Sequence, residues 1–336
     1  MTTIKDVAKL LNISITTVSR ALDGYDDVAQ ETRELVIRTA QEMGYTPNRA
    51  ARQLRKQRSE TIGYILPTDK PQFADAFYSE FIAGLGDAAA ASNFDLLVSA
   101  APPDSAAEKA IYQRWAQGRK VDGLVVNRTR LQDWRLQYLS GQKLPFVSLE
   151  RSLLPLEFIG VETDIAQGYL DLIGHLTSQG HSRIAYIGAA PDLKIDHDRY
   201  TGYRSGLEAA SIAPDPALVT RADLTPEGGY QAAIRLLNQA TQPSAIVCVN
   251  DLTAIGAMHA AHERGLKVGR DIAIAGFDGV ADSAHTQPPL TTLDQPVYTI
   301  AGLLVNMLLK LIDGKPLDEH QVRIKPNLLI RASTVG

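Results

Sequence analysis

The 336-residue chain has a single cysteine, Cys248, so neither an intrachain disulfide nor an all-cysteine metal cluster can form. Aromatic residues are sparse, at 6%, in a composition otherwise near that of an average globular protein. That balance excludes a disordered or collagen-like chain. No stretch approaches the ~18 uninterrupted apolar residues of a membrane helix. The start, MTTIKDVAKLLNIS, is interrupted by Lys5, Asp6, Lys9 and Asn12 and lacks the apolar segment of a signal peptide. A cytoplasmic protein of two or three domains, with no membrane segment, is the expectation.

Enzyme signatures are missing as well. There is no G-x-x-x-x-G-K-[ST] and no G-x-S-x-G. The string GLGDAA (84–89) has dinucleotide-loop spacing, but it follows EFIA inside a helical pattern rather than a strand. Asp192, Asp196, His197 and Asp198 match no metal-ligand spacing and read as a solvated loop beside Arg199. His259 and His262 lack acidic neighbours in a useful register. No enzyme activity, cofactor or metal is expected.

What is present is uneven in charge. Residues 1–60 hold ten Lys/Arg against eight Asp/Glu, while the whole chain has a net charge of -4. Residues 49–58, RAARQLRKQR, carry Arg49, Arg52, Arg55, Lys56 and Arg58 and no acid. Such a run is either a polyanion contact or a solvated linker.

The first 46 residues read as three short helices. Ile4, Val7, Ala8 and Leu11 share one helical face, opened by a capping box of Thr3 with Asp6. Ser14 can cap a second helix with Ile15, Val18 and Leu22 inward, ended by Gly24 and Asp26–Asp27. A third spans roughly Glu31–Met43 and stops at Gly44. This is a helix-turn-helix plan. The outer face of the second helix offers Ser14, Thr16, Thr17, Ser19 and Arg20, groups suited to phosphate oxygens and base edges. A three-helix interaction domain would look the same at this point. Residues 47–59 then form a basic segment of about eight helix-prone residues, too short to be stable alone, whose charges DNA phosphates would neutralise.

TIKDVAKLLNISITTVSRAL and VAQETRELVIRTAQEMGYTPNRAARQL closely resemble the DNA-binding headpiece and hinge of the lactose/galactose repressor family of bacterial transcription regulators. The resemblance implies that Ile15 and Thr16 read bases, with Thr17, Ser19 and Arg20 extending that surface and Arg20 meeting a guanine edge. Thr3 and Ser14 complete the expected headpiece contacts. Asn48, Arg49, Ala51 and Leu54 are the hinge contacts, with Leu54 wedged at a central CG step in the minor groove. One departure is visible: the third helix usually starts with a Ser cap, and this chain has Ala29. Losing a cap costs about 1 kcal/mol unless Asp27 or Gln30 compensates.

Residues 60–336 alternate short apolar runs with helix-length stretches. The runs are 61–66, 94–99, 121–126, 145–149, 158–161, 183–188, 245–250 and 272–277. The helical stretches include Tyr78–Ser92, Ser105–Gln117, Ala166–Gln179, Gly202–Ala210, Pro226–Gln239 and Asp251–Arg264. The pattern predicts α/β architecture with parallel sheets covered on both faces and ligands beyond the strands' carboxyl ends. Asn127, Glu150, Arg151, Asn250, Asp251 and Asp278 stand there. Any one of them fits a turn or an N-cap, and capping is the better reading of Asp251. Together they suggest a polar pocket between two lobes.

The family resemblance covers this region through HSRIAYIG, DRYTGYRSGL, IVCVNDLTAIGAMHAAHERGLKVGRDIAIAGFDG, PPLTTLDQP and LLIRAST. It implies a core like the type I periplasmic sugar-binding proteins, with two lobes and three crossovers. The implied lobes are about 60–161 with 293–322, and 162–292 with 323–336. Arg199, Asp278, Asn250, Gln295, Glu150 and Asn127 fall on effector-binding positions. Phe77, Tyr78 and Phe81 lie where the first helix borders the cleft, either as ligand contacts or as core packing, and Leu193, Ile195 and Leu224 lie in loops that vary in the family. The expected protein is a homodimeric repressor that leaves a pseudo-palindromic operator when a mono- or disaccharide binds. No leucine heptad trails the core, so the tail-mediated tetramer of some members is not expected. Two alternatives stay open: a purine- or nucleoside-responsive regulator with a co-repressor, and a binding protein that no longer regulates DNA.

Overall fold

The structure is a computed structural model that describes residues 2–46, 58–68 and 75–335. It divides into two compact units, 1–59 and 60–336. The first contains α1 (Ile4–Leu11), α2 (Ile15–Leu22) and α3 (Gln30–Glu42). Their spacing buries Val7, Ala8, Val18, Ala21, Val28 and Val36 in one small core. The capping box of Thr3 and Asp6 is formed, and Asn12 ends α1 in the left-handed region. Ser14 accepts from Thr17 N–H at 3.0 Å and opens α2. Ala29 opens α3 with no side-chain cap. The two candidate substitutes are engaged elsewhere: Asp27 binds Arg20, and Gln30 donates to Glu34.

The second unit begins with β1 (Thr61–Pro67), α4 (Ala76–Ala91), β2 (Asp95–Ala101), α5 (Ala106–Gly118), β3 (Gly123–Val126), α6 (Trp134–Ser140), β4 (Phe146–Leu149) and β5 (Gly160–Thr163). The chain then builds α7 (Ile165–Ser178), β6 (Ile184–Gly188), α8 (Lys194–Ala209), β7 (Val219–Arg221), α9 (Pro226–Leu237), β8 (Ala245–Cys248), α10 (Asp251–Glu263), β9 (Ala273–Asp278) and β10 (Thr291–Asp294). It returns through α11 (Val297–Ile312) and β11 (Gln321–Ile324) and finishes with β12 (Asn327–Leu329). Two six-stranded sheets result, ordered β11-β5-β4-β3-β1-β2 and β12-β10-β9-β8-β6-β7. Every pairing is parallel except β10 with β12. Parallel strands covered on both faces need continuous apolar runs, and β1, β3, β6 and β8 have them.

The chain crosses between sheets after β5, after β10 and after β11. Each of these strands runs two residues past the boundary expected from sequence, to Thr163, Asp294 and Ile324. The GLGDAA string serves helix packing. A Cβ on Gly84 would sit 2.5 Å from the Tyr298 carbonyl, so glycine lets α4 approach α11 closely.

The uncapped α3 generates a prediction. Ala29 has φ -53° and ψ 141°, a backbone that Ser or Asp adopts without strain. Ala29→Ser should stabilise the headpiece by about 1 kcal/mol. Amide exchange of α3 in the full chain should slow about fivefold, and unchanged exchange would show that the cap is satisfied by another route.

Candidate functional site

Two polar regions stand out, one on each unit. On the first, Ile15, Thr16 and Arg20 are exposed along α2, with Thr17 and Ser19 half-buried beside them. Several predicted hydroxyls have local duties: Thr3 donates to Asp6 at 2.8 Å, Ser14 and Thr17 lie 2.8 Å apart, and Ser19 reaches Asp23 at 3.5 Å. The Thr3, Ser14 and Thr17 hydroxyls can each still bond a second partner, since a hydroxyl has two lone pairs and one proton. Asn48, Arg49, Ala51 and Leu54 lie outside the described residues.

The second region is where both sheets of the core end. Glu150 follows β4 with φ 66°, Thr163 closes β5, and Gln295 follows β10. Asp278 closes β9 with φ 112°, a value non-glycine residues rarely adopt. These residues form a continuous buried chain. Thr163 N–H donates to Glu150 Oε1 at 3.0 Å, and its hydroxyl donates to Gln295 Oε1 at 3.2 Å. Gln295 Nε2 donates to Asp278 Oδ1 at 2.8 Å, and Arg199 Nη2 donates to the same oxygen at 3.1 Å. The Arg199 guanidinium also bonds the Val249 carbonyl and lies 3.7 Å over the Phe277 ring. The chain starts on the first sheet and ends on the second.

Asn127, just past β3, has a buried side-chain amide that interacts with the Tyr64 hydroxyl. Among the described residues the buried Arg128 Nε and Thr129 Oγ1 beside it have no hydrogen-bond partner, and buried polar groups left so cost roughly 1–3 kcal/mol each. Arg135 donates to the carbonyls of Asn127 and Arg128 at 3.2 and 3.0 Å, and its charge is met by Asp133 and Glu108. A second seam joins the two lobes. Lys194 N–H donates to the Thr129 carbonyl, Leu131 N–H to the Asp192 carbonyl, and Arg130 forms an ion pair with Asp192.

Three sequence readings need correction. Phe81 is wholly buried in the first-lobe core against Tyr64 and Phe77, so it offers no surface to a ligand; Phe77 and Tyr78 are half-buried. Asp251 does not cap α10. Asn250 does, accepting from Thr253 N–H at 2.9 Å and donating to the Leu224 carbonyl at 3.3 Å. Asp251 is buried one residue on, where it accepts from Val280 N–H at 2.9 Å and Thr292 Oγ1 at 2.6 Å. Lastly, Asp196, His197 and Asp198 sit on the first turns of α8 rather than in a solvated loop. That helix buries polar residues, Lys194, Asp196 and Arg199 among them, so its apolar periodicity starts only near Gly202. Leu193, Ile195 and Leu224 gather with Ala189 and Val249 in a small apolar cluster.

Other residues around this buried chain were not anticipated. Asp75 caps α4 and is near enough to Asp278 to raise its pKa. Lys194 and Asp198 pair along α8 and act electrostatically on Glu150. Thr163 is the link on which the chain turns. In the sequence these are ordinary cap, turn or i,i+4 residues, and only the fold brings them together.

The carboxyls respond to their surroundings. Burial pushes Glu150 up to about 7, with Asp198 adding to the rise and the Thr163 N–H and Lys194 opposing it. Burial also pushes Asp278 up to about 6, against the pull of Arg199 and Gln295. Asp251 is raised to about 8 by burial and by Asp278.

Comparison with known proteins places both regions. Residues 3–48 match the model for bacterial regulatory proteins, lacI family, and residues 173–334 match a periplasmic binding protein-like domain. The chain is 33% identical over 333 residues to the transcriptional repressor CytR of Escherichia coli (strain K12), covering 99% of this chain and 96% of that protein. It is 31% identical over 339 residues to the transcriptional regulator RegA of Clostridium saccharobutylicum, covering 99% of each. Among solved structures, the lac repressor dimer bound to operator and the anti-inducer ONPF is similar with a TM-score of 0.84 at 28% identity, over 100% of this chain and 99% of that one. The complex of the transcriptional regulator CelR with cellobiose gives 0.77 at 28% identity, over 99% and 100%.

The raised carboxyls predict a pH dependence. A group whose folded pKa lies above its unfolded value binds more protons in the folded state between the two, so stability falls as pH rises through that window. For Glu150 the window runs from about 4 to about 7. His175 and His181, lowered by burial, act with the opposite sign below their ordinary value. The difference between the native chain and Glu150→Gln therefore isolates the carboxyl. The melting temperature of the native chain should fall by a few degrees relative to the variant between pH 5 and 8. Parallel profiles would show that Glu150 does not titrate there.

Proposed function

From the premise that the chain belongs to the lacI family of bacterial regulatory proteins, we propose that it is a sugar-responsive repressor released from its operator by the effector. The chain is a DNA-binding transcription regulator with an effector-binding core, and the finer reading concerns what it binds. The observation that carries it is the buried hydrogen-bond chain from Glu150 to Arg199, which crosses from one sheet to the other. Sugar hydroxyls come in adjacent pairs that donate and accept, and carboxylate, amide and guanidinium groups answer them with bidentate, charge-assisted bonds. Among the described residues, both side chains that donate to Asp278 use Oδ1, and Oδ2 is the oxygen that would meet a ligand hydroxyl in this reading. Asn127 supplies a buried amide on the facing lobe.

A planar base would need an open aromatic face. The Phe277 face is covered by Arg199, and Phe81 is sealed in the core. The CelR complex with cellobiose shows a similar chain holding a disaccharide.

In this mechanism the effector replaces bonds within the chain and favours one arrangement of the lobes. The change lowers operator affinity by the effector's differential binding to the two states, typically about 1–3 kcal/mol. A pseudo-palindromic operator needs two headpieces, so the working unit is a homodimer. Leu54 of each protomer meets the central base step in this reading.

The test is a thermal-shift screen of the full chain against mono- and disaccharides, nucleobases and nucleosides. A ligand at 100 times its Kd adds about 2.7 kcal/mol and raises the melting temperature visibly. The expected result is a sugar hit that Asp278→Ala abolishes while salt-sensitive operator binding persists. A nucleobase or nucleoside hit, with operator affinity raised, would replace this reading with the co-repressor class.

A further inference from the structure

Arg20 projects from the exposed side of α2, yet its guanidinium is held from two directions. Asp27, in the loop before α3, accepts from Nε at 3.1 Å and meets Nη2 at 2.5 Å. Tyr25 lies against the flat face, its ring centroid 4.9 Å from Cζ. The Tyr25 carbonyl in turn accepts from Arg33 Nη2 at 2.6 Å, which ties this loop to α3. The Arg20 and Asp27 side chains are 44% and 54% exposed, and an ion pair so open to water adds only about 0–1 kcal/mol to stability. Holding the headpiece together does not explain the arrangement.

The geometry has another consequence. Guanidinium offers five N–H donors in a planar fork. Asp27 takes the edge formed by Nε and Nη2. The adjacent edge, with one N–H on Nη1 and the second N–H on Nη2, is taken by no group among the described residues. Two parallel donors at that separation match the O6 and N7 acceptors of guanine in the major groove. With one edge against a carboxylate and one face against a ring, the long side chain loses part of its rotamer freedom before it meets DNA. The placement is otherwise costly for a DNA-binding surface, because an exposed carboxylate there repels phosphate. Asp23 and Asp26 add further negative charge to the same loop.

We propose that Asp27 is a positioning residue for base reading. It holds Arg20 so that the free edge of its fork faces a guanine, and base preference at one position of each half-site depends on an acid that touches no DNA. The inference rests on the reading that Arg20 reaches a base edge.

The test is selection by the full chain from a library of random-sequence duplexes, comparing the native protein with Arg20→Ala, Asp27→Ala and Asp27→Asn. Arg20→Ala should remove a guanine preference at one position per half-site. Asp27→Ala should weaken the preference at that same position about tenfold and leave the other positions unchanged. Asp27→Asn keeps one acceptor and should give an intermediate preference, a graded rescue that a merely structural role would not produce. Helical circular dichroism matching the native chain confirms that the variants are folded. If Asp27→Ala binds every sequence more tightly with the guanine preference intact, Asp27 only repels phosphate and the proposal falls. If Arg20→Ala leaves the selected sequence unchanged, the reading of Arg20 fails and takes this inference with it.

Discussion

The core of this protein is organised around one buried carboxylate, Asp278. It stands at the end of β9 with φ 112°, a conformation that is retained only when the surroundings over-determine it. Those surroundings are all visible. Arg199 and Gln295 donate to its side chain, and the following turn is held by Asp251, which accepts from Val280 N–H. Asp251 also binds Thr292 of β10, three residues before Gln295, and it adjoins the cap residue Asn250. One buried acid thus ties together three segments that each carry a cleft residue. Glycine is required at position 276, because a Cβ there would strike the Asp251 carboxylate. Burying acids is unfavourable: burial raises both pKa values, and Asp278 adds to the rise at Asp251.

The headpiece is built on a different balance. Its core is small, and among the described residues Val7, Val18 and Val36 are its fully buried members. A unit of this size has little apolar area to spare, so caps carry a large share of its stability. Thr3 with Asp6, Ser14 and the left-handed Asn12 serve α1 and α2, whereas α3 begins without a side-chain cap. The same hydroxyls that cap α1 and α2 lie at the ends that face outward, so capping and surface chemistry draw on the same residues.

Much of the architecture could be read from the sequence, because parallel strands buried on both faces announce themselves as apolar runs. The strands that gave no such signal are short and partly exposed: β7, β11 and β12. β10 is buried but reads TTLD, with two threonines that bond Arg331 and Asp251 inside the fold. The start of α8 was hidden because that helix turns charged residues inward, and inward charge is what the cleft needs. Glu150, Asn127, Arg199, Asp278 and Gln295 were legible as polar residues after strands or within motifs. Thr163, Asp75, Lys194 and Asp198 were not, since a threonine ending a strand or an acid opening a helix has no signature beyond its local duty.

The topology also explains why a ligand in this cleft would not leave the lobes unaffected. Of the three chain crossings, two begin at residues of the hydrogen-bond chain: Thr163 closes β5 before the first, and Gln295 follows β10 at the second. The bond between them joins the two connecting segments directly, at 3.2 Å. A hydroxyl that competes for the Gln295 amide therefore acts on the connections themselves rather than on a distant wall. The opposing seam, from Thr129 and Leu131 to Lys194 and Asp192, consists of two backbone hydrogen bonds and the Arg130 ion pair. Bonds of this kind contribute about 1 kcal/mol each, comparable to the coupling energies typical of allosteric proteins. The lobes are thus held by a few replaceable contacts and by chain crossings that pass through the candidate site. Occupancy of the cleft can shift such a balance without disturbing either hydrophobic core.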